Sequence, residues 1–180
     1  IFEYDFINDL VNTELSNSER EDNISELYGS ILSAAREFYS PFKKVVIGMS
    51  GGIDSAIAAA IISEAVGPKK LLAVNMPTIY NSNTTQDLAK LCAENLGIEY
   101  KVLPIQLLYE EQVKMLENLG LKNISMLTKE NIQARIRGAE LAAISSYYGG
   151  VFTNNGNKTE GSLNYFTLYG DAAGAAAILG

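Results

Sequence analysis

Two spacings of apolar residues alternate along most of this chain. Ile24, Leu27, Tyr28, Ile31, Leu32, Ala35, Phe38 and Tyr39 recur at three- and four-residue intervals, which predicts one apolar stripe on a helix over 24–39. Asp22 or Asn23 is placed to cap it, and Pro41 stands just past its end. Upstream, 1–21 is polar and acidic, with Phe2, Tyr4, Phe6 and Ile7 as its main apolar anchors, and reads as a linker or packed-down arm. From residue 45 the period changes. Val45-Val46-Ile47 is a β-branched run suited to a strand buried on both faces. A helix from Ala56 to Val66 stops at Gly67-Pro68, and a second buried strand runs from Leu71 to Met76 and ends at Pro77. A helix over 85–96, with Leu88, Leu91 and Cys92 inward, closes at Gly97. A strand over 98–105, a helix over 107–119 and a long helix over 129–148 follow, and a fourth strand is expected over 151–154. Strands alternating with helices predict an α/β fold, an open parallel sheet with helices on both faces.

Composition narrows the chemistry. The chain has 180 residues, 47% of them apolar and 19% charged, enough for one packed domain with a short appendage. It contains no His, so no residue here supplies a Ser-His-Asp triad, a Cys-His pair or an imidazole metal ligand. Its single Cys, Cys92, makes no internal disulfide and fits a reducing, cytoplasmic compartment. On the apolar face of a predicted helix, that thiol reads as a small buried hydrophobe. No apolar run approaches the ~18 residues of a membrane helix, and no membrane partner is expected. The net charge of −7 is uneven. Residues 1–42 hold nine acids against two bases, Arg20 and Arg36, whereas 43–180 hold twelve of each. Neither part has the basic surplus of a nucleic-acid binder. This division, and a start at Ile1, suggest a linker with an amphipathic helix over 1–42 and a domain over 43–180 belonging to a longer protein.

Ser50-Gly51-Gly52-Ile53-Asp54-Ser55 joins the first strand to the first helix of the alternating region. Ligands of open parallel sheets bind at the C-terminal ends of the strands. A glycine pair there lets main-chain N–H groups approach an anion, and the helix N-terminus adds a favourable dipole. By itself Gly-Gly is an ordinary tight turn; two serines and an aspartate in this context point to a phosphate site. Asp54 is out of place beside phosphate unless a cation lies between them, and Mg²⁺ binds carboxylate and phosphate oxygens together. Neither GxxxxGK[ST] nor GxGxxG is present, which argues against a Walker loop or a dinucleotide-cofactor loop.

Two later stretches carry further chemistry. In Glu130-Asn131-Ile132-Gln133-Ala134-Arg135-Ile136-Arg137-Gly138, Arg135 and Arg137 are two apart and point to different faces, while Asn131 and Arg135 share one. An amide and a guanidinium on one face suit a ligand bearing phosphate and amide-like groups, and equally suit a solvated basic face. Asn154-Asn155-Gly156-Asn157-Lys158-Thr159-Glu160 is a polar turn at another strand end, followed by Tyr169-Gly170-Asp171. Lys158 can neutralise phosphate, and Glu160 and Asp171 add carboxylates; such residues are also common loop constituents.

The glycine loop resembles the SGGxDS loop of the ATP pyrophosphatase (PP-loop) group, which implies a Rossmann-like, adenine nucleotide alpha hydrolase fold. Together KKVVIGMSGGIDSA, MPTIY, AENLGI, ENIQARIRG, NGNKTE and TLYGD resemble NAD synthetase over 43–180. Leu168 ahead of Tyr169-Gly170-Asp171, where ammonia-dependent members typically read KYGD, tilts the resemblance to the glutamine-dependent branch. The resemblance implies an AMP-forming ligase that adenylylates the nicotinate carboxylate of deamido-NAD with ATP and lets ammonia expel AMP. No residue acts as a covalent nucleophile. It implies ATP contacts at Ile47, Gly48, Met49, Ser50, Gly51, Gly52, Ile53, Asp54, Ser55, Met76 and Asn155, with Ile47 and Met76 flanking adenine. Asn131, Arg135, Arg137, Glu160 and Asp171 would bind deamido-NAD, and Asp54 and Glu160 would hold Mg²⁺. Family members assemble through synthetase dimers, so a homo-oligomer is expected. Three departures stand out: Asn155 replaces the usual Thr, the basic residues expected beyond the YGD segment are missing, and the glutaminase domain is missing. Ammonia would come from such a domain or from solution. Two other readings share the loop: a PP-loop enzyme that aminates or thiolates a nucleotide or tRNA, and a module that only binds ATP. The neutral charge of 43–180 counts against tRNA.

Overall fold

The computed structural model describes residues 17–180. Residues 1–16, part of the expected linker, lie outside the described residues. The described residues open with helix α1 (Asn17–Tyr39), which begins earlier than its apolar stripe. Asp22 and Asn23 therefore lie inside it rather than at its start. Its stripe is only half used: Ala35 and Tyr39 are buried and Ile31 and Leu32 pack on the core, but Ile24 and Leu27 stay 66% and 60% exposed.

Four parallel strands form the central sheet: β1 (Val45–Gly48), β2 (Leu71–Asn75), β3 (Glu99–Val102) and β4 (Val151–Phe152), in the order β3-β2-β1-β4. Val45 pairs with Leu71 on one side and Val151 on the other, which puts β1 in the middle. Alternation along β1 and β2 then divides the core. Val45, Ile47, Leu71 and Ala73 face one layer, made by α1, α2 (Ile53–Val66) and α3 (Asn83–Leu96). Val46, Leu72 and Val74 face the other, made by α4 (Gln106–Asn118) and α5 (Met126–Tyr147). Residues with two buried faces have no use for polar alternation, hence the continuous apolar runs.

Several elements differ from expectation. The third strand is half its expected length, because Pro77 on the neighbouring β2 side has no N–H to extend the ladder; Leu103 and Ile105 still donate to Asn75 and Pro77 carbonyls. In α3 the buried residues are Ala89 and Ala93, while Leu88 and Leu91 are 48% and 52% exposed. Small side chains allow the helix to lie close to its neighbours, which leaves the leucines at the edge. Cys92 is half-buried against the core, and burial pushes its thiol upward from the ordinary value. The long helix starts at Met126, capped by Ser125, whose hydroxyl accepts from the Thr128 N–H.

The largest departure lies past β4. The chain leaves the sheet at Thr153 and forms β5 (Asn154–Asn157), then α6 (Lys158–Ser162). β5 pairs in parallel with β6 (Ala177–Leu179), a strand made from a small-residue segment with no strand-like pattern. Gly174 makes the return possible. Its φ of +130° suits glycine, and a Cβ there would fall 2.4 Å from the Asn154 nitrogen.

Candidate functional site

The C-terminal end of β1 opens into the glycine loop, and α2 begins directly after it. Gly52 caps α2 with no side-chain hydrogen bond, so the first-turn N–H groups carry no side-chain cap. Gly51 has φ +88°, and a Cβ on it would sit 2.1 Å from the Thr85 carbonyl oxygen at the start of α3. Only glycine lets the loop run under that helix. The serines first shape the loop itself. Ser55 donates to the Gly52 carbonyl at 3.0 Å, its oxygen accepts from the Ser50 N–H at 3.3 Å, and Ser50 Oγ accepts from the Gly52 N–H at 3.1 Å.

The second wall is α5. Arg137 turns inward, donating from Nε to the Met76 carbonyl at 3.1 Å and from Nη2 to Asn81 Oδ1 at 3.5 Å. Burial lowers its guanidinium from the ordinary value, and Asp171 opposes that shift. Arg135 and Asn131 share another face, as their spacing requires. Arg135 donates to the Leu168 carbonyl at 3.2 Å, and Asn131 accepts from Thr167 Oγ1 at 2.7 Å. Gly138 lets the Gly170 main chain come close, since a Cβ there would meet the Gly170 oxygen at 3.1 Å.

The third wall is β5 with α6. Asn157 caps α6 in a reciprocal box: its Oδ1 accepts from the Glu160 N–H at 2.9 Å, and Glu160 Oε2 accepts from the Asn157 N–H at 3.0 Å. The same Asn157 donates from Nδ2 to Asp54 Oδ1 at 3.1 Å. One asparagine thus holds two carboxylates 106 positions apart, Asp54 through its side-chain amide and Glu160 through its main-chain N–H. Asn155 donates to the Gly48 carbonyl at 2.8 Å and accepts from Thr153 Oγ1 at 2.8 Å.

These walls enclose a cavity of about 770 Å³, within the usual size of a small-molecule site. Gly48, Met49, Ser50, Asp54, Ser55, Met76 and Asn155 line it from the expected ATP set. Arg137, Glu160 and Asp171 line it from the expected substrate set, and Lys158 joins them. Other expected residues lie elsewhere. Ile47 is wholly buried under α1 and α2, because strand alternation turns its side chain into the core and off the cavity lining. Gly51 and Gly52 form the loop's outer turn, and Ile53 points outward at 72% exposure. Asn131 and Arg135 hold the 167–168 segment and do not reach the lining. The sequence reading missed Asn157, whose position in a polar turn gave no sign that it reaches Asp54. It also missed the apolar wall of Leu141, Phe152 and Phe166.

No group of three or more His, Cys, Asp or Glu side chains capable of holding a metal occurs among the described residues. A metal caged by protein alone does not fit. Two carboxylates beside a phosphate loop do fit Mg²⁺, which keeps one or two carboxylates and takes its other ligands from phosphate and water. Asp54 and Glu160 each give one oxygen to Asn157 and have one left over. Among the described residues no helix is long and apolar enough to cross a membrane.

A family model described as NAD synthase matches residues 31–180. A glutamine-dependent NAD(+) synthetase from Thermotoga maritima is 38% identical over 156 residues, covering 86% of this chain and 27% of that protein. The structure of a glutamine-dependent NAD+ synthetase from Acinetobacter baumannii in complex with ADP superposes with a TM-score of 0.82 at 35% identity, covering 86% of this chain and 30% of that one. An NH3-dependent NAD synthetase from Campylobacter jejuni, in complex with nitrate, gives 0.78 at 29% identity, covering 87% and 66%. The chain therefore spans under a third of the length of these glutamine-dependent relatives.

Proposed function

Because this chain belongs to the NAD synthase family, we propose that the whole protein amidates deamido-NAD to NAD with ATP, as an AMP-forming carbon–nitrogen ligase. The observation that carries this reading is one cavity, that at the end of β1. It gathers the glycine loop, Arg137 and the Lys158–Glu160–Asp171 group from three separate stretches of sequence. Phosphate recognition, a cation pair and paired carboxylates at one place suit an ATP-driven carboxylate activation.

A carboxylate is a poor acyl donor. Its oxygen attacks the α-phosphorus, the α–β anhydride bond breaks and pyrophosphate leaves. Ammonia's nitrogen then attacks the acyl carbon, AMP leaves with the bond electrons, and the nitrogen sheds its extra proton. No protein nucleophile is needed, in keeping with a Cys92 that sits on α3, away from the cavity lining. The protein's work is positioning and charge neutralisation. Main-chain groups of the loop and the start of α2 receive the phosphates, and Lys158 balances their charge. Asp54 and Glu160 would hold Mg²⁺, which when bound offsets phosphate charge and eases departure of pyrophosphate. Arg137 and Asp171 face the deamido-NAD, with Asn131 and Arg135 behind them bracing the segment at Thr167 and Leu168.

The protein is proposed to act in the cytoplasm, as a homo-oligomer through synthetase dimers. Exposed Met126, Leu127 and Tyr147 at the two ends of α5 support such a contact. Residues 1–42 would connect the domain over 43–180 to a glutaminase that supplies ammonia. The test supplies the whole protein with Mg-ATP and deamido-NAD, with ammonium in one sample and glutamine in another. NAD with AMP and pyrophosphate supports the reading, and turnover on glutamine places it in the glutamine-dependent branch. AMP without NAD overturns the substrate, and no ATP cleavage by folded protein leaves a binding module.

A further inference from the structure

The phosphate loop begins where β1 runs out of strand partners, and two asparagines take over there. The strand is paired as far as Gly48 on the β2 side and as far as Val46 on the β4 side. The Met49 N–H still donates to the Val74 carbonyl at 2.9 Å, and the Thr153 N–H donates to Val46 at 3.0 Å. The next two β1-side carbonyls, Gly48 and Met49, receive side-chain amides instead. Asn155 Nδ2 donates to Gly48 at 2.8 Å from the β4–β5 side, and Asn75 Nδ2 donates to Met49 at 2.7 Å from the end of β2. The loop's root is held from its two flanking strands, one carbonyl each.

Asn75 is an expensive way to fill its position. It is 5% exposed, and its Oδ1 has no partner among the described residues. An unpaired buried acceptor costs stability that an apolar side chain of similar size would spare. The asparagine is intelligible through its donor. Peptide planarity links each carbonyl to the following N–H, so holding the Met49 oxygen sets the direction of the Ser50 N–H, the first of the loop. Asn155 is similarly occupied: one N–H goes to Gly48 and its oxygen to Thr153.

We propose that Asn75 and Asn155 are positioning residues that together set the phosphate loop for ATP, acting through the Gly48 and Met49 carbonyls rather than as ligands of the nucleotide. The proposal rests on the ATP-dependent reading above. It assigns Asn155 a different task from the direct ATP contact expected at that position, and it brings in Asn75, which is absent from the cavity lining.

The test measures the KM for ATP and for deamido-NAD in the whole protein carrying Asn75→Leu, Asn155→Ala and both, with melting temperatures taken without nucleotide. Each single change is expected to raise the ATP KM about tenfold, the size of one net hydrogen bond, and to leave the deamido-NAD KM within about twofold. Because both act on one loop, the double variant should raise the ATP KM by much less than the product of the singles. Additive effects, or an effect of Asn155→Ala alone, would overturn the clamp and restore a direct contact. Equal rises in both KM values, or an unchanged ATP KM, would also overturn it. Should Asn75→Leu fail to fold, Asn75→Ser, with a donor too short to reach as well, is held to the same criteria. A wild-type protein that releases no AMP would overturn the underlying reading instead, so the two failures are distinguishable.

Discussion

Two walls of the cavity are built by opposite means. The glycine loop is the end of a central strand, fixed by steric necessity: Gly51 fits beneath Thr85 because it has no side chain, and its φ of +88° admits little else. The β5–α6 wall lies outside the main sheet and is held by side-chain amides, with Asn157 alone joining its own helix to Asp54. The first kind of wall yields all at once. The second can lose one bond and keep its course. Shape in this site comes from one wall and charge placement from the other.

Substitutions can break or sharpen that contrast. The largest effect is expected from Gly51→Ala, which puts a Cβ into the Thr85 carbonyl and strains the backbone. A loss of about 2–4 kcal/mol in chemical denaturation is expected, with ATP turnover abolished. A stability change under about 0.5 kcal/mol would show that the loop can move away from α3. Next comes Arg137→Lys. One ammonium cannot reproduce the fork that spans Met76 and Asn81, so kcat/KM should fall by about 10²-fold, with little change in melting temperature. Asn157→Ala should cost about 1 kcal/mol as a lost helix cap, yet reduce turnover far more than that stability loss explains, because Asp54 loses its tie to α6 while Glu160 keeps the main-chain N–H. If activity and stability fell in proportion, the amide would be no more than a cap. Glu160→Gln keeps an acceptor for the Asn157 N–H and removes a charge. Its signature should be a several-fold higher Mg²⁺ requirement at nearly unchanged stability.

The smallest effect is expected at the opposite end of the strands. Lys44 and Lys101 hold the Glu99 carboxyl below its ordinary value. A lowered pKa adds stability that is present above the unfolded-state value and is lost as pH falls through the lower folded-state value. For so exposed a group the amount is under about 1 kcal/mol. Glu99→Gln should therefore narrow the stability difference between neutral and acid pH slightly and leave both walls' chemistry unchanged.

The same contrast explains what the sequence discloses. β1, β2 and the glycine loop are readable because burial on both faces and tight turns leave local marks: unbroken apolar runs and paired glycines. Arg135 and Arg137 separate onto different faces as helical spacing requires. The β5–α6–β6 region is not readable in this way. β6 is an Ala-Ile-Leu strand preceded by alanines and glycine, and its existence depends on pairing Ala177 with Asn154, a partner far along the chain. Asn157 reads as turn chemistry, since nothing local signals a bond to position 54. Ile47 shows the reverse limit. Its strand is legible, but a motif places it at the ligand edge while the alternation of side chains sends it into the core.

Tyr39, the last residue of α1, is fully buried, and its hydroxyl donates to the Ala176 carbonyl at 3.1 Å, immediately before β6. Burial pushes that hydroxyl up to about 12, so it remains a donor across any physiological pH. The first helix and the last strand of the described chain are thus fastened to each other. Amide hydrogens of β6 should exchange with solvent at the pace set by opening of α1, as one cooperative unit rather than as a fraying edge. A Tyr39→Phe protein should release β6 to exchange sooner while the glycine loop keeps its protection. β6, whose Ala177 lines the cavity, is in that sense anchored by a contact that spans 137 positions.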